Sequence, residues 1–242
     1  MPTGPVGAAD LLDAAAFCRN RSLAEAAVYL ACLGRPELSW ERCAALPIGE
    51  RDSALVAMRA ALFGPQLELG AACPGCRARL DVRLTTDALT FEAPVLEALP
   101  TVLVDGRVFG VRPADSRDLA LLAAITDPQQ GRELLARRCL VALDGGPAPL
   151  ALTAEEMGVV AVALETIDPA GDPYVSLGCV ACGTTWNAPV DIGQILTADI
   201  EDAARALLDE VHDLARAYHW SETAILGLPA ERRQAYLQRV RG

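Results

Sequence analysis

The stretch "AACPGCRARLDV" (residues 71–82) decides how this chain is read. Cys73 and Cys76 enclose Pro74 and Gly75. Two chemistries use the Cys-x-x-Cys spacing: a dithiol redox centre, and one half of a tetrahedral metal site. A redox pair opens a helix, whose N-terminus lowers the pKa of the first thiol. Here the period after Cys76 is two. Ala78, Leu80, Val82 and Leu84 alternate with Arg77, Arg79, Asp81 and Arg83, and before the pair Leu67, Leu69 and Ala71 alternate as well. That pattern predicts a hairpin with the two cysteines at its tip.

The same arrangement returns in "LGCVACGTTWNAPV" (residues 177–190). "PYVSLGC" reads as a strand, and after Cys182 the residues Thr184, Trp186 and Ala188 alternate. Two equally spaced pairs can bring four thiolates onto one tetrahedral ion at about 2.3 Å each. We therefore expect two knuckles that together form a zinc ribbon, with one structural Zn2+ per chain held by Cys73, Cys76, Cys179 and Cys182. A closed four-cysteine site has no free coordination position, so it implies no catalysis. The alternative is that the pairs are remnants and bind no metal. Between Cys76 and Cys179 lie 102 residues. The ion requires only that the hairpins pack side by side, so the intervening segment reads as an excursion. Cys18, Cys32, Cys43 and Cys139 stand in apolar helical settings and read as small core residues.

Working outward, residues 9–63 carry apolar residues three or four apart and read as helices, with Ser22 as an N-cap. "LPIGERDSALVAMRAALFG" places Leu55, Met58, Leu62 and Phe63 on one side, and Gly64-Pro65 ends it. A second hairpin is expected in "TVLVDGRVFGVRP", turning at Asp105-Gly106. Helices are then expected at "SRDLALLAAIT", "GRELLARRCLVAL" and "TAEEMGVVAVALETI", the last with a Thr153–Glu156 capping box. A long amphipathic helix starts near Asp191, its stripe being Ile192, Ile195, Leu196, Ile200, Leu207, Leu208, Val211, Leu214 and Tyr218. Glu201 and Arg205 suit an i,i+4 pair, and Ser221 and Pro229 mark two short terminal helices. The expected class is α+β. Its parts are an N-terminal helical region (1–64), a zinc-ribbon β region (65–92 and 172–190), an inserted hairpin with large helical insertions (93–171), and a C-terminal helical region (191–242).

Composition narrows the function. Hydrophobic residues make up 52% and charged residues 22%, which is globular rather than disordered. All 21 basic residues are arginine, so Walker-lysine and Schiff-base-lysine chemistry are excluded. A net charge of −11 argues against free nucleic acid as a partner. The N-terminus lacks the pattern of a signal peptide, and no apolar run approaches the roughly 18 residues of a membrane span. The chain reads as soluble and cytoplasmic, without membrane insertion and with reduced or metal-bound cysteines. His212 and His219 lie seven apart on one helix with no accompanying carboxylate motif, and read as packing or contact residues. No nucleophile elbow, P-loop or dinucleotide fingerprint is present. The tail's Arg232, Arg233, Arg239 and Arg241 read as a solvated helix face around Tyr236, Leu237 and Val240, with phosphate binding the alternative.

Three stretches carry a family resemblance. They are "LPIGERDSALVAMRAALFGPQLELGAACPGCRARLDV", "PYVSLGCVACGTTWNAPVDIGQIL" and "EVHDLARAYHWSETAILGLPAERRQAYLQRV". In order they give a helix, a Phe-Gly break and a knuckle; a second knuckle leaving into a long helix; and a Tyr-His-Trp turn before a Leu-Pro-x-x-Arg-Arg-x-x-Tyr-Leu helix. Together they resemble a baseplate protein family of contractile tails. That family is related to the baseplate hub assembly chaperones of T-even-like phages and to components of bacterial contractile injection systems. The resemblance implies a non-enzymatic assembly or structural role. It implies baseplate hub or spike proteins as partners, and leaves open incorporation into the tail particle. In that role Tyr218, His219, Trp220 and Tyr236 are candidate partner contacts, since Trp and Tyr combine apolar area with a polar handle. Trp220 reads equally as a staple between the last helices. Two rival functions remain. One is a zinc-ribbon nucleic-acid adaptor, motivated by Arg77, Arg79, Arg83 and the terminal arginines. The other is a thiol oxidoreductase, motivated by Cys-Pro-Gly-Cys alone.

Overall fold

A computed structural model describes residues 6–89 and 98–241 and has the α+β composition expected, with small antiparallel sheets among many helices. The boundary expected at 92/93, the beginning of the insertion and the extreme N-terminus lie outside the described residues.

The first half of the chain builds a helical core. Its elements are α1 (Ala8–Cys18), α2 (Leu23–Gly34), α3 (Trp40–Ala44) and α4 (Ile48–Phe63). Ser22 caps α2, its hydroxyl accepting from the Glu25 amide while Glu25 reaches back to the Ser22 amide. Ala14, Ala15, Leu30, Leu55 and Met58 are buried together with Ile192, Leu196 and Ile200 of the long helix α8 (Ile192–Tyr218). The cysteine hairpins grow from this core. β1 (Gln66–Ala72) pairs antiparallel with β2 (Arg79–Thr85), and β6 (Tyr174–Gly178) pairs with β7 (Thr185–Pro189). Leu67 is buried in the core, and Leu84, Val175 and Val190 pack there too. Both hairpins are therefore rooted at one place and point their tips away from it.

Between them the chain forms a second core. β3 (Thr101–Val104) and β4 (Arg107–Val111) make the expected hairpin. Asp105 and Gly106 both have positive φ, 49° and 70°, as a two-residue type I′ turn requires. α5 (Ser116–Leu122), α6 (Pro128–Cys139) and α7 (Ala154–Ile167) follow, and Thr153 and Glu156 form the expected capping box. The helical reading of "GRELLARRCLVAL" is corrected. The helix ends at Cys139, and Leu140–Ala142 is a strand, β5, paired with β4. Cys139 O accepts from the Arg112 amide at 2.9 Å, which draws the chain out of the helix and onto the sheet. Val102, Val104, Phe109 and Val111 face inward onto Ala136, Cys139, Val160 and Ile167.

The two cores join through buried polar contacts. Ile48 N donates to Ala114 O at 3.0 Å, and Arg51 reaches Ser116 Oγ at 2.8 Å. Beside them Asp118 is fully buried. It accepts from Arg112 at 2.7 and 3.0 Å, from Arg138 at 2.6 Å and from the Asp115 amide at 3.1 Å.

The third core closes the C-terminus. α9 (Glu222–Leu226) and α10 (Ala230–Arg241) fold back on α8, burying Leu214, Ile225 and Leu237. Two expectations for α8 are corrected. Leu208 is 48% exposed, because Ala204, Leu207 and Leu214 take the buried positions. Arg205 pairs with Asp202, one turn back, and not with Glu201. The solvated reading of the tail arginines is corrected in part. Arg233 is buried against Glu210 at 2.5 Å, and Arg241 holds Asp213 at 2.8 Å.

Asp118 yields a pH prediction. Burial pushes its carboxyl up, but the bonds from Arg112, Arg138 and the Asp115 amide outweigh this and bring it to about 2 from an ordinary 3.8. The folded state thus binds this proton less well than the unfolded chain. Its contribution, about 2 kcal/mol, is present above the ordinary carboxyl range and is lost as pH falls from about 4 to 2. Asp118→Asn should remove it and leave two arginines short of a partner. We expect a loss of about 3–5 kcal/mol at neutral pH in urea unfolding, with a weaker acid dependence than the parent.

Candidate metal centre

Each hairpin tip is built by the same four-residue device. Arg77 N donates to Cys73 O at 2.9 Å, and Gly183 N donates to Cys179 O at 2.8 Å. Cys73 N donates to Ala78 O, and Cys179 N to Thr184 O, both at 2.9 Å. The residue after the second cysteine is left-handed in both tips, Arg77 at φ 61° and Gly183 at φ 74°. The second cysteine of each pair also receives a backbone hydrogen bond from two residues on, Cys76 from Ala78 and Cys182 from Thr184. The two tips are conformational copies, and each presents one buried thiol, Cys73 or Cys179, and one exposed thiol, Cys76 or Cys182.

The four thiols meet. Cys73 Sγ lies 3.6 Å from Cys182 Sγ, and Cys76 Sγ lies 3.6 Å from Cys179 Sγ. All four sulfurs fall within 4.8 Å of one another. A tetrahedron with metal–sulfur bonds of about 2.3 Å has sulfur–sulfur edges of about 3.8 Å, so the spacing and the all-thiol donor set fit zinc. Each close pair joins the buried thiol of one hairpin to the exposed thiol of the other. An ion here would therefore tie the hairpins together and not merely close each tip. Cysteine is the only ligand type in the cluster.

The thiols are not equivalent as acids. The Thr184 hydroxyl, 3.2 Å away, and the Thr184 amide bring Cys182 down to about 6. At Cys76 the Ala78 amide pulls down, but Cys182, Cys179 and Cys73 outweigh it and push the group up to about 12. The sulfur contacts thus favour the thiolate of Cys182 and oppose that of Cys76, a conflict that a divalent cation would relieve. The other cysteines behave differently. Burial drives Cys139 to about 12, and burial followed by the neighbouring Cys43 does the same to Cys32.

Two residues have supporting roles that the sequence alone did not reveal. Arg59 is buried at the foot of the first hairpin. It donates to Gly64 O at 2.6 Å and to Gln66 O, and pairs with Asp199 of α8 at 3.0 Å. It fixes where β1 leaves the helical core. Gly75 is the second. A Cβ there would come within 2.6 Å of Thr184 Oγ1 and 3.6 Å of Cys182 Sγ, so the tips approach closely only because residue 75 lacks one.

The remaining candidate residues lie elsewhere. Tyr218, Trp220 and Tyr236 form one aromatic knot at the end of α8, with ring centroids 4.8, 5.6 and 4.9 Å apart. They are half-buried against Leu214, Ile225 and Leu237. His219 is exposed and left-handed at the C-cap of α8, and His212 is exposed on the same helix. Of the arginines beside the first tip, Arg77 and Arg79 are exposed and Arg83 pairs with Glu68 at 3.2 Å. Among the described residues no helix is long and apolar enough to cross a membrane.

Comparison of the chain with models of known protein families, with curated proteins and with solved structures gives no match.

Gly75→Val should separate the tips without removing a thiol. Overpacking of this kind costs about 1–3 kcal/mol. Weaker zinc retention against a chelator, with all eight thiols still countable by titration, is the expected readout.

Proposed function

We propose that this chain is a non-enzymatic assembly factor or structural component of the baseplate hub in a phage-tail-like contractile injection system, and that a zinc ribbon stabilises it. The observation that carries the zinc part is the meeting of four thiols from two copied hairpin tips. Zinc bound by four thiolates has its coordination filled, so it would hold the hairpins in register and activate no water. The chain's own residues supply the rest: Arg59 at the foot, Gly75 and Thr184 at the tip contact, and backbone amides on the thiolates.

The baseplate part is supported by the family resemblance in the two knuckles and the C-terminal tail. Its acidic charge suits protein partners better than nucleic acid. His219 and the exposed rim of the Tyr218–Trp220–Tyr236 knot are the proposed contact with hub or spike proteins.

Two outcomes are expected. Protein purified without chelator should contain about one zinc per chain by elemental analysis, and Cys73→Ser should lower both the zinc content and Tm, the latter by roughly 5–10 °C. Tagged protein expressed beside the tail genes should co-purify with a hub or spike protein. Zinc-free stable protein would overturn the ribbon; normal tails in a deletion strain, with no hub or spike protein retained, would overturn the baseplate role.

A further inference from the structure

We propose that the four hairpin-tip cysteines are a site of oxidation by peroxide, and that oxidation joins Cys73 to Cys182 and Cys76 to Cys179. Both bonds run between the hairpins, so the tips stay tied when no ion holds them. The pairing follows from the thiols themselves; the accompanying release of zinc rests on the ribbon reading.

Geometry chooses the pairs. Four cysteines allow three connectivities. Cys73 Sγ meets Cys182 Sγ at 3.6 Å, and Cys76 Sγ meets Cys179 Sγ at 3.6 Å. These two contacts use all four sulfurs, so both bonds can form in one molecule. A disulfide is about 2.05 Å long, so each pair has about 1.5 Å left to close. The tips are in direct contact: a Cβ on Gly75 would lie 3.6 Å from Cys182 Sγ and 3.4 Å from Thr184 Cβ. Each tip is closed by its own backbone hydrogen bonds, Arg77 N to Cys73 O and Gly183 N to Cys179 O. Each hairpin is rooted in the helical core, one through Leu67 and Leu84, the other through Val175 and Val190. A thiol that loses an ion therefore still faces the same partner.

Access decides which sulfur reacts first. Cys76 and Cys182 are exposed, and Cys73 and Cys179 are buried. Each cross contact therefore joins a thiol that peroxide can reach to one that it cannot. The exposed sulfur attacks one peroxide oxygen, the O–O bond breaks and water leaves, which makes that cysteine a sulfenic acid. The buried sulfur of the other hairpin then attacks it. The S–S bond forms, the S–O bond breaks and a second water leaves. Each disulfide thus consumes one peroxide, whose oxygens take two electrons from sulfur and leave as water with the two thiol protons. From four zinc-bound thiolates the same two rounds take up four protons from solvent and set free Zn2+.

The other thiols are shielded from this chemistry. Cys18, Cys43 and Cys139 are buried, and Cys32 is half-buried against the Val28–Cys43–Ala44 cluster. The oxidised state puts a cross-link where the ion would be. Either one joins the hairpins, whereas the reduced, metal-free state leaves their tips unjoined. A bond within a tip, Cys73–Cys76 or Cys179–Cys182, would not join them. Cross-links spanning 109 and 103 positions also restrain the unfolded chain far more than a Cys-x-x-Cys loop does.

The test treats the full chain, reduced and purified without chelator, with about two equivalents of hydrogen peroxide. A chromogenic chelator reads released zinc, and titration counts the remaining thiols. Fragmentation of a non-reduced digest cut at arginine locates each bond. We expect about one zinc released per chain and loss of the four tip thiols, with Cys18, Cys32, Cys43 and Cys139 still free. The digest should show Cys73 joined to Cys182 and Cys76 joined to Cys179, and Cys76→Ser should form only the first of these. Oxidised protein should melt about 5 °C or more above the same protein reduced and stripped of metal. Bonds within the tips, a Cys73–Cys179 bond, or sulfinic acid at Cys76 or Cys182 without cross-links would overturn the proposal. So would oxidation spread over the other four cysteines. Protein that carries no zinc but yields both cross-hairpin bonds would overturn the ribbon and uphold the pairing.

Discussion

Four thiols held within 4.8 Å of one another, from two cysteine pairs with 102 residues between them, govern how the rest of the chain is laid out. A two-stranded hairpin is marginal by itself in water. Each of these has a half-buried apolar face, a root in the helical core and a tip made only of a tight turn and two cysteines. Without an ion across the tips, like-charge repulsion opposes ionising neighbouring thiols. With zinc there, as proposed, the same crowding becomes the coordination shell.

The constraint also explains the layout of the insertion. The chain must leave the first hairpin and return to the second at nearly the same point, so the segment between can grow without disturbing either. It does so by forming a core of its own, stitched to the helices through Arg51 and Ser116, Ile48 and Ala114, and Gly49 and Asp168. α8 then acts as a spine. Its first half completes the helical core beneath the hairpins, and its last turns carry the aromatic knot and the tail helices. Arg59 and Asp199 couple the spine to the foot of the first hairpin.

What could be read in the sequence follows from how local each signal was. The cysteine-tipped hairpins, the Asp105-Gly106 turn and the Ser22 and Thr153 caps depend on residues within a few positions of one another, and the structure has them where expected. The four-cysteine cluster was legible because two identical spacings imply one ion. β5 was not, because "CLVAL" is apolar without period, and only pairing with β4 makes it a strand. Arg233 was read as part of a solvated face, and Arg59 and Asp118 carried no local signal, because burial of an ion is decided by partners as many as 140 positions away. Gly75 stood in plain view, but its need arises only from Thr184 of the other hairpin.

If one zinc closes the two hairpins through all four cysteines, as proposed, X-ray absorption at the zinc edge of the purified protein should read a single shell of four sulfurs at about 2.3 Å. Any one cysteine-to-serine change at positions 73, 76, 179 or 182 should reduce it to three. A shell with two sulfurs and the balance nitrogen or oxygen, or zinc shared between chains through one pair each, would contradict it.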